Sequence, residues 1–198
     1  MQGNTNTTRS AEAITPGNHG ETLSGGAWSI RRFPSTDETQ IDGLADVLID
    51  CVEGGASVSF MQPLTRERAV AFWREVAHGV STGRRMLLVA EDDQGVCGCV
   101  QLSFDLPENQ PHRADISKML VHRRARRRGL GEALMKAAEA AARESGKTLL
   151  VLDAVTGGDA ARLYERLGWV RVGDIPSYAL YPRGGVCSTT IYYRDLGY

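Results

Sequence analysis

The sequence lacks any apolar run that approaches the roughly 18 residues needed to cross a membrane. It also lacks a basic start followed by an apolar core, which is the pattern of a secretory signal. These absences predict a cytoplasmic protein without a membrane partner. The composition is globular, with 42% hydrophobic and 24% charged residues, so the bulk of the chain is neither disordered nor fibrous. Its 198 residues suffice for one domain with one sizeable core.

Cysteine is scarce, and the four cysteines lack the spacing of a disulfide framework. Cys97 and Cys99 would project from one face of an apparent strand, but no second pair and no nearby histidine completes a zinc set. Cys51 and Cys187 stand alone in apolar segments. We therefore expect four reduced thiols packed in the core and no metal site.

Bulky apolar residues are nearly absent from the first 26 residues, which are rich in Thr, Asn, Ser and Gly. A segment of this composition cannot bury enough surface to offset the entropy lost on ordering. We predict a flexible tail over residues 1–26 and a single folded domain over residues 27–198.

Apolar periodicity predicts that this domain is a mixed α/β sheet flanked by helices. Alternating or continuous apolar residues predict strands over residues 28–33, 85–92, 96–104, 114–122, 148–154, 169–174 and 187–193. Helical spacing predicts helices over residues 39–52, 129–145 and 160–167, and another that begins after Thr65, which can cap it. The turn residues between the second and third strands are typical of a β-hairpin.

Net charge is close to zero, at −1, but it is unevenly distributed. Residues 112–128 contain seven Lys or Arg and one Asp, a net of +6 that leaves −7 for the rest of the chain. The protein therefore combines one concentrated cationic patch with an acidic remainder, which suggests two partners of opposite charge.

Arginine and glycine are combined where a predicted strand leads into a predicted helix, as Arg126, Gly129 and Gly131. Because glycine has no Cβ atom, phosphate oxygens can approach the backbone N–H groups of such a turn closely, and the helix dipole adds to the attraction. The spacing is neither that of a Walker loop nor that of a dinucleotide fingerprint. The alternatives are a solvated basic face and a nucleic-acid patch. We expect no nucleic acid, because aromatic residues do not interleave with the arginines and the remainder is acidic.

The motif Arg126-x-x-Gly129-x-Gly131 resembles the signature of the GCN5-related N-acetyltransferase (GNAT) superfamily. A second family feature follows at the expected distance, a short helix and turn that read LYERLGW and contain Tyr164. The resemblance implies the GNAT fold, a central mixed and mostly antiparallel sheet of about seven strands flanked by about four helices. It also implies that acetyl-CoA is the cofactor and coenzyme A the product.

The resemblance assigns coenzyme binding to the end of one strand and to the glycine-rich turn. Main-chain atoms of the strand end would meet the pantetheine arm and the acetyl carbonyl, and the turn would hold the pyrophosphate. These positions are Met119, Leu120, Val121, Arg126, Arg127, Arg128, Gly129, Leu130, Gly131 and Glu132. The sequence departs from the family at Gly157, where members often have an asparagine that touches the pantetheine.

Acetyl transfer to an amine requires removal of a proton from the ammonium and a proton for the departing thiolate. Asp153 follows a buried-looking strand at its carboxyl end, where it could bind the ammonium and pass on its proton, or simply cap a turn. The family position of Tyr164 implies a general acid, the alternative being a packed core aromatic. A main-chain N–H at Leu120 or nearby, where the family's strand commonly bulges, would meet the oxyanion.

Residues that could contact the acceptor lie in other segments. Glu53 ends the first predicted helix, where the family places acceptor-binding residues, although an exposed helix-end acid is as good an explanation. Phe60, Met61 and Tyr178 lie in predicted connections that could wall a pocket or simply pack. The sequence leaves monomer and homodimer open.

From Cys51 onward, segments such as GGASVSFM, KMLVH, GDIPSYA and TTIYY resemble the tabtoxin-resistance and related antibiotic acetyltransferases. This implies inactivation of an amine-bearing antibiotic or phytotoxin, either an aminoglycoside such as kasugamycin or a tabtoxinine-type amino acid. The acidic remainder favours a polycationic amino sugar. The competing hypotheses are a protein or peptide N-acetyltransferase and a non-catalytic acyl-CoA-binding module.

Overall fold

The computed structural model describes residues 23–24, 28–33 and 38–197. The predicted tail lies outside these residues except for Leu23–Ser24, which form a two-residue edge strand, β1. No helix within the described ranges is long and apolar enough to cross a bilayer.

The remaining elements follow the predicted order. The strands are β2 (Ser29–Arg32), β3 (Arg85–Asp92), β4 (Gly95–Ser103), β5 (Arg113–Val121), β6 (Leu149–Val155), β7 (Val170–Leu180) and β8 (Val186–Asp195). The helices are α1 (Glu38–Glu53), α2 (Arg66–Ser81), α3 (Leu130–Glu144) and α4 (Asp159–Arg166), and a 3₁₀ turn covers Arg123–Ala125. Thr65 caps α2 as predicted, by accepting a hydrogen bond from the Arg68 amide.

The strands form one sheet in the order β1-β2-β3-β4-β5-β6-β8-β7, in which only the β5–β6 pair is parallel. This confirms the predicted mixed, mostly antiparallel sheet and its four flanking helices. The sheet has eight strands, one more than the predicted seven, and the additional strand is the two-residue β1.

The helices cover both faces of the sheet. Along β3, Leu87 and Val89 pack with α1 and α2, whereas Leu88 and Ala90 pack with α3. This period-two alternation is what a strand buried on both faces requires. All four cysteines are free and buried, as predicted.

Strand β7 is longer than predicted. It continues past Asp174 through Pro176 to Leu180, with a register shift between Ile175 and Ala179. Because β7 is an edge strand, a proline without an N–H is tolerated there. The consequence is that Tyr178 lies in a strand and not in the predicted connection.

Strands β5 and β6 separate beyond the middle of the sheet. Their parallel pairing covers only Arg113–Asp115 against Leu149–Val151. Beyond it, β5 pairs with β4 alone and β6 with β8 alone. The carboxyl ends of the two parallel strands therefore open a cleft, which is where open α/β sheets bind ligands.

Candidate active site

One wall of the cleft is the carboxyl end of β5, which contains a bulge. The register against β4 shifts by one residue between Ser117 and Leu120. Lys118 in this bulge has a φ of +49°, in the left-handed region. The bulge expected near Leu120 is thus present, and such bulges redirect side chains.

After β5 the chain makes a turn into α3. Gly129 is the N-cap of α3 with a φ of +81° and no side-chain cap. The amide of Ala133 donates to the Gly129 carbonyl at 3.1 Å. The four preceding main-chain N–H groups, of residues 129–132, have no acceptor within the described part of the chain. Four unpaired donors at the positive end of a 15-residue helix are able to bind an anion.

The glycines keep this turn accessible. A Cβ placed on Gly129 would meet no atom within 4 Å, so the backbone is open on that side. A Cβ on Gly131 would lie 3.1 Å from a Leu163 methyl carbon, so this glycine allows α4 to approach α3. The two glycines of the motif therefore differ physically, since Gly129 leaves the backbone open to solvent and Gly131 allows the helices to pack.

The six arginines of residues 112–128 fall into two groups, and the seventh cation, Lys118, lies apart from them in the β5 bulge. Arg113, Arg123 and Arg124 form ion pairs with Asp115, Asp50 and Asp92, respectively. Arg126, Arg127 and Arg128 are exposed at the turn and have no carboxylate within ion-pair distance among the described residues. The charge left unpaired is therefore concentrated beside the free amides.

Asp50 anchors the turn to helix α1. Its side chain is 8% exposed, and its carboxylate accepts hydrogen bonds from the Arg123 amide at 2.8 Å and from Arg123 Nε at 2.7 Å. Burial alone would raise the pKa of Asp50, but these hydrogen bonds and the charges of His122 and Arg123 outweigh it and lower the pKa. The carboxylate is therefore ionised at neutral pH and holds the start of the turn in place.

Tyr164 lies on α4 in the interior, 4% exposed, and its ring contacts those of Trp169 and Tyr192. Burial raises its pKa, and the negative charge of Asp153 raises it further, so the phenol stays protonated at neutral pH. Its hydroxyl has no hydrogen-bond partner within the described residues. Gly157, the departure from the family pattern, has a φ of +68° and lies two residues before α4.

A cavity of about 330 Å³ lies beside the end of β6. It brings together four of the predicted residues, Asp153, Phe60, Met61 and Tyr178. The rest of its lining is mostly hydroxyl and small apolar groups: Ser57, Ser59, Ala154, Val155, Ala179, Leu180, Cys187, Ser188 and Thr189. The cavity is therefore largely apolar with several polar groups, of small-molecule size, and assembled from three distant segments of the chain.

Asp153 is the carboxylate of this lining. It is exposed and accepts a hydrogen bond from Thr189 Oγ1 at 3.0 Å, which holds it against β8. Its effect on the pKa of Tyr164 places the two candidate catalytic groups within electrostatic reach of each other. The two groups are thus electrostatically coupled, although Tyr164 is not among the residues that line the cavity.

Glu53 lies away from this cavity. It lines a second, smaller cavity of about 180 Å³ with Tyr181, Pro182 and Arg183. One of its carboxylate oxygens lies 3.6 Å from Arg123 Nη2. The acceptor role predicted for Glu53 accordingly has no support from the geometry of the larger cavity.

Comparison with known proteins gives two results. A family model described as "Acetyltransferase (GNAT) domain" matches residues 83–171. Residues 83–171 are therefore similar to the acetyltransferase domain of the GNAT family. The match covers β3 to α4 and includes both the turn at Gly129 and Tyr164, so the predicted enzyme class, N-acetyltransferase, is confirmed.

Solved structures agree with this GNAT fold. A GCN5-related N-acetyltransferase from Kribbella flavida is 24% identical, with 85% of this chain and 98% of that chain covered and a TM-score of 0.69. A Salmonella typhimurium protein solved with its cofactor acetyl-CoA is 20% identical, with coverages of 87% and 95% and a TM-score of 0.70. A ribosomal-protein-alanine N-acetyltransferase from Brucella melitensis is 21% identical, with coverages of 84% and 98% and a TM-score of 0.71.

The residues that match the GNAT family model include only a small part of the cavity lining. Its match excludes the segment around Ser59 and Phe60 and the β7–β8 hairpin beyond residue 171. Sequence reasoning also missed Lys118, whose Nζ lies 3.3 Å from Ser59 Oγ. A lysine inside a strand gives no signal by itself, because only the bulge turns it toward the cavity segment.

Proposed function

We propose that the protein is an acetyl-CoA-dependent N-acetyltransferase that acetylates a primary amine of a small molecule. One observation carries the proposal. Four unpaired amides and three unpaired arginines mark an anion site at one end of the cleft, and a cavity with a carboxylate lies at its other side. This arrangement suits a long anionic donor that meets a cationic acceptor between β5 and β6.

The turn fits the pyrophosphate of coenzyme A. The amides of residues 129–132 would donate to its oxygens, and the open side of Gly129 admits them. One nitrogen of Arg126 is already hydrogen-bonded within the protein, because Nε donates to the Val121 carbonyl at 3.0 Å. Arg127 and Arg128 are exposed to solvent. Bound here, acetyl-CoA supplies the acetyl group as a thioester.

The strand end would position the reacting part of the donor. Main-chain atoms of Met119, Leu120 and Val121 lie along the edge of β5 that faces the cleft, where β6 no longer pairs with them. An N–H at or near Leu120 would stabilise negative charge on the acetyl oxygen. The bulge supports this role because it breaks the regular β4–β5 pairing there.

Tyr164 and Asp153 divide the proton chemistry. The Tyr164 hydroxyl retains its proton at neutral pH and would deliver it to the departing sulfur. The Asp153 carboxylate would bind the acceptor ammonium and pass a proton from it to solvent. The electrostatic coupling of the Tyr164 phenol to the Asp153 carboxylate supports this assignment.

The acceptor that we propose is an antibiotic or phytotoxin, either an aminoglycoside such as kasugamycin or a tabtoxinine-type amino acid, and acetylation would confer resistance. Phe60, Met61 and Tyr178 would form the walls of its pocket. The cavity volume of about 330 Å³ supports a small molecule.

A protein or peptide acceptor is the alternative, since the Brucella melitensis relative is named for one. The loop over residues 57–61 is tied to the β7–β8 hairpin, with Ser57 Oγ donating to the Leu180 carbonyl at 2.8 Å and the Gln62 amide to Pro182 at 2.9 Å. These contacts hold the loop against the hairpin, which supports a pocket for a small molecule over an open groove for an extended peptide.

The test is a thiol-release assay with acetyl-CoA and a panel of aminoglycosides, tabtoxinine-like amino acids, polyamines and peptides, with mass spectrometry of each product. We expect turnover with small amines and none with peptides. Turnover confined to peptides would overturn the proposed acceptor class. Binding of acetyl-CoA without transfer to any acceptor would indicate a non-catalytic binding module.

A further inference from the structure

Lys118 is a lysine in an unusual environment. Its backbone adopts a left-handed φ of +49°, and its side chain is half-buried beside the loop that lines the cavity. The Nζ atom lies 3.3 Å from Ser59 Oγ and 5.5 Å from the centre of the Phe72 ring. A non-glycine residue in this conformation is held there by its surroundings and is frequent at functional sites.

The ammonium of Lys118 has no carboxylate within ion-pair distance among the described residues. Burial lowers the pKa of Lys118, while the charge of Asp153 opposes that change. A half-buried cation paired only with a hydroxyl and an aromatic face is incompletely compensated. An anionic group of a ligand at this position would complete its environment.

Asp153 provides the opposite charge across the same space. It is close enough to affect the pKa of Lys118, yet no ion pair of 4.0 Å or less joins the two side chains. Ser59 links them structurally, because it lines the cavity together with Asp153 and contacts Lys118. Lys118 is not itself a lining residue, but its ammonium contacts the hydroxyl of Ser59, which is, so a positive charge borders the cavity at Ser59 and a negative charge lines it at Asp153. Separated charges of this kind match a zwitterion.

The acids outside the cationic patch do not gather at this cavity. Asp153 is its one lining carboxylate among the described residues. Others are engaged elsewhere, such as Asp42 and Asp46 with Arg66 and Glu38 with Arg74. The acidic remainder of the sequence therefore gives no local advantage to a polycationic acceptor.

We infer that the acceptor carries a carboxylate beside its amine, and that Lys118 binds this carboxylate while Asp153 binds the ammonium. This inference rests on the proposed acetyltransferase function and narrows its substrate class to amino-acid-type acceptors. In the reaction the acetyl C–S bond breaks and a C–N bond forms. The ammonium loses two protons: one goes to solvent by way of Asp153, and the other restores the proton that Tyr164 gives to the departing sulfur.

The experiment compares matched acceptors. Amino acids are assayed beside their amides and their decarboxylated amines, with acetyl-CoA at saturation, and products are identified by mass spectrometry. For the wild type we expect kcat/KM to be about tenfold or more higher for the carboxylate-bearing member of a pair, because a charged contact is lost in the others.

Lys118→Met keeps the length of the side chain and removes its charge. We expect it to abolish the preference for the carboxylate through the KM of the acceptor, with the KM of acetyl-CoA unchanged, and Lys118→Arg to restore part of the preference. Lys147→Met is the matched control, since Lys147 also lies over a phenylalanine, at 5.2 Å from the Phe104 ring, but its Nζ donates to the Pro111 carbonyl and not to a residue that lines the cavity. It should retain the full preference.

The outcomes separate the two proposals. If amines are acetylated but the carboxylate-bearing acceptors have no advantage, or Lys118→Met keeps that advantage, the inference is wrong and the acetyltransferase function stands. If the loss in Lys118→Met appears in the KM of acetyl-CoA, Lys118 serves the donor and the inference is also wrong. If no amine is acetylated at all, both proposals fail.

Discussion

The turn from β5 into α3 is called the donor turn, because it would bind the acetyl donor, and the cavity beside the end of β6 is called the acceptor cavity. The two differ in how the sequence forms them. The donor turn is continuous in sequence, from the end of β5 through Gly129 into α3. The cavity is assembled from residues 57–61, 153–155 and 178–189, which only the finished sheet brings together. One fold therefore combines a locally encoded anion site with a pocket that depends on long-range packing.

The charges of the two regions differ as well. The turn has three arginines without carboxylate partners beside four free amides, which suits one strongly anionic ligand. The cavity has one carboxylate, with one lysine near it. The turn can attract any strongly anionic ligand, whereas the cavity can discriminate between ligands by the positions of its single charges.

The largest effect is expected from Tyr164→Phe, because Tyr164 is the proposed general acid. The variant should reduce kcat by one to three orders of magnitude, as loss of a general acid does, and leave the affinity for acetyl-CoA nearly unchanged. Steady-state kinetics and calorimetry measure the two quantities separately.

Tyr192→Phe is the matched control for that prediction. Tyr192 is another buried core tyrosine, and its hydroxyl donates to Glu165 Oε1 at 3.0 Å, outside the cavity lining. Its loss should lower the free energy of unfolding by about 1 kcal/mol and leave kcat unchanged. Normal turnover in Tyr164→Phe would remove Tyr164 from the mechanism.

The same contrast explains what the sequence could predict. The hairpin turn before Gly95, the cap at Thr65 and the glycine motif are local signals, and each is confirmed in the fold. The strand position of Tyr178 was missed because Pro176 appeared to end β7, although the edge of the sheet tolerates it. Lys118 gave no local signal, since its direction depends on a bulge formed with β4.

The next effect concerns the donor turn alone. Gly129→Val places a β-branched side chain at a φ of +81° and on the open side of the turn, so we expect about a hundredfold weaker binding of coenzyme A. Gly146→Val is the control, because Gly146 has a φ of +69°, meets similar open space and lies after the other end of α3. Both should lose stability, but Gly146→Val should keep its affinity. Equal affinities by calorimetry would contradict the anion site.

A smaller effect should be confined to the cavity. Asp153→Asn keeps an acceptor for Thr189 and removes the charge, so the KM of the amine should rise about tenfold while coenzyme A binding is retained. Asp174→Asn is the control, since Asp174 accepts from Thr190 Oγ1 at 2.7 Å on the same sheet but outside the cavity lining. An unchanged KM in Asp153→Asn would assign Asp153 to packing of the strand end.

The smallest effect tests the anchor of the donor turn. Asp50→Asn leaves Arg123 with one fewer charged acceptor, so it should lower the free energy of unfolding at pH 7 by about 1–2 kcal/mol and weaken coenzyme A binding only a few-fold.

Because the folded protein lowers the pKa of Asp50 below its ordinary 3.8, the stabilisation is complete above that value and is lost as the pH falls through the folded pKa. Urea denaturation should therefore give a constant difference between wild type and variant from pH 7 to about 5, and a shrinking one below about 4. A difference that grows on acidification would mean that Asp50 is held protonated, and the turn would then need another anchor.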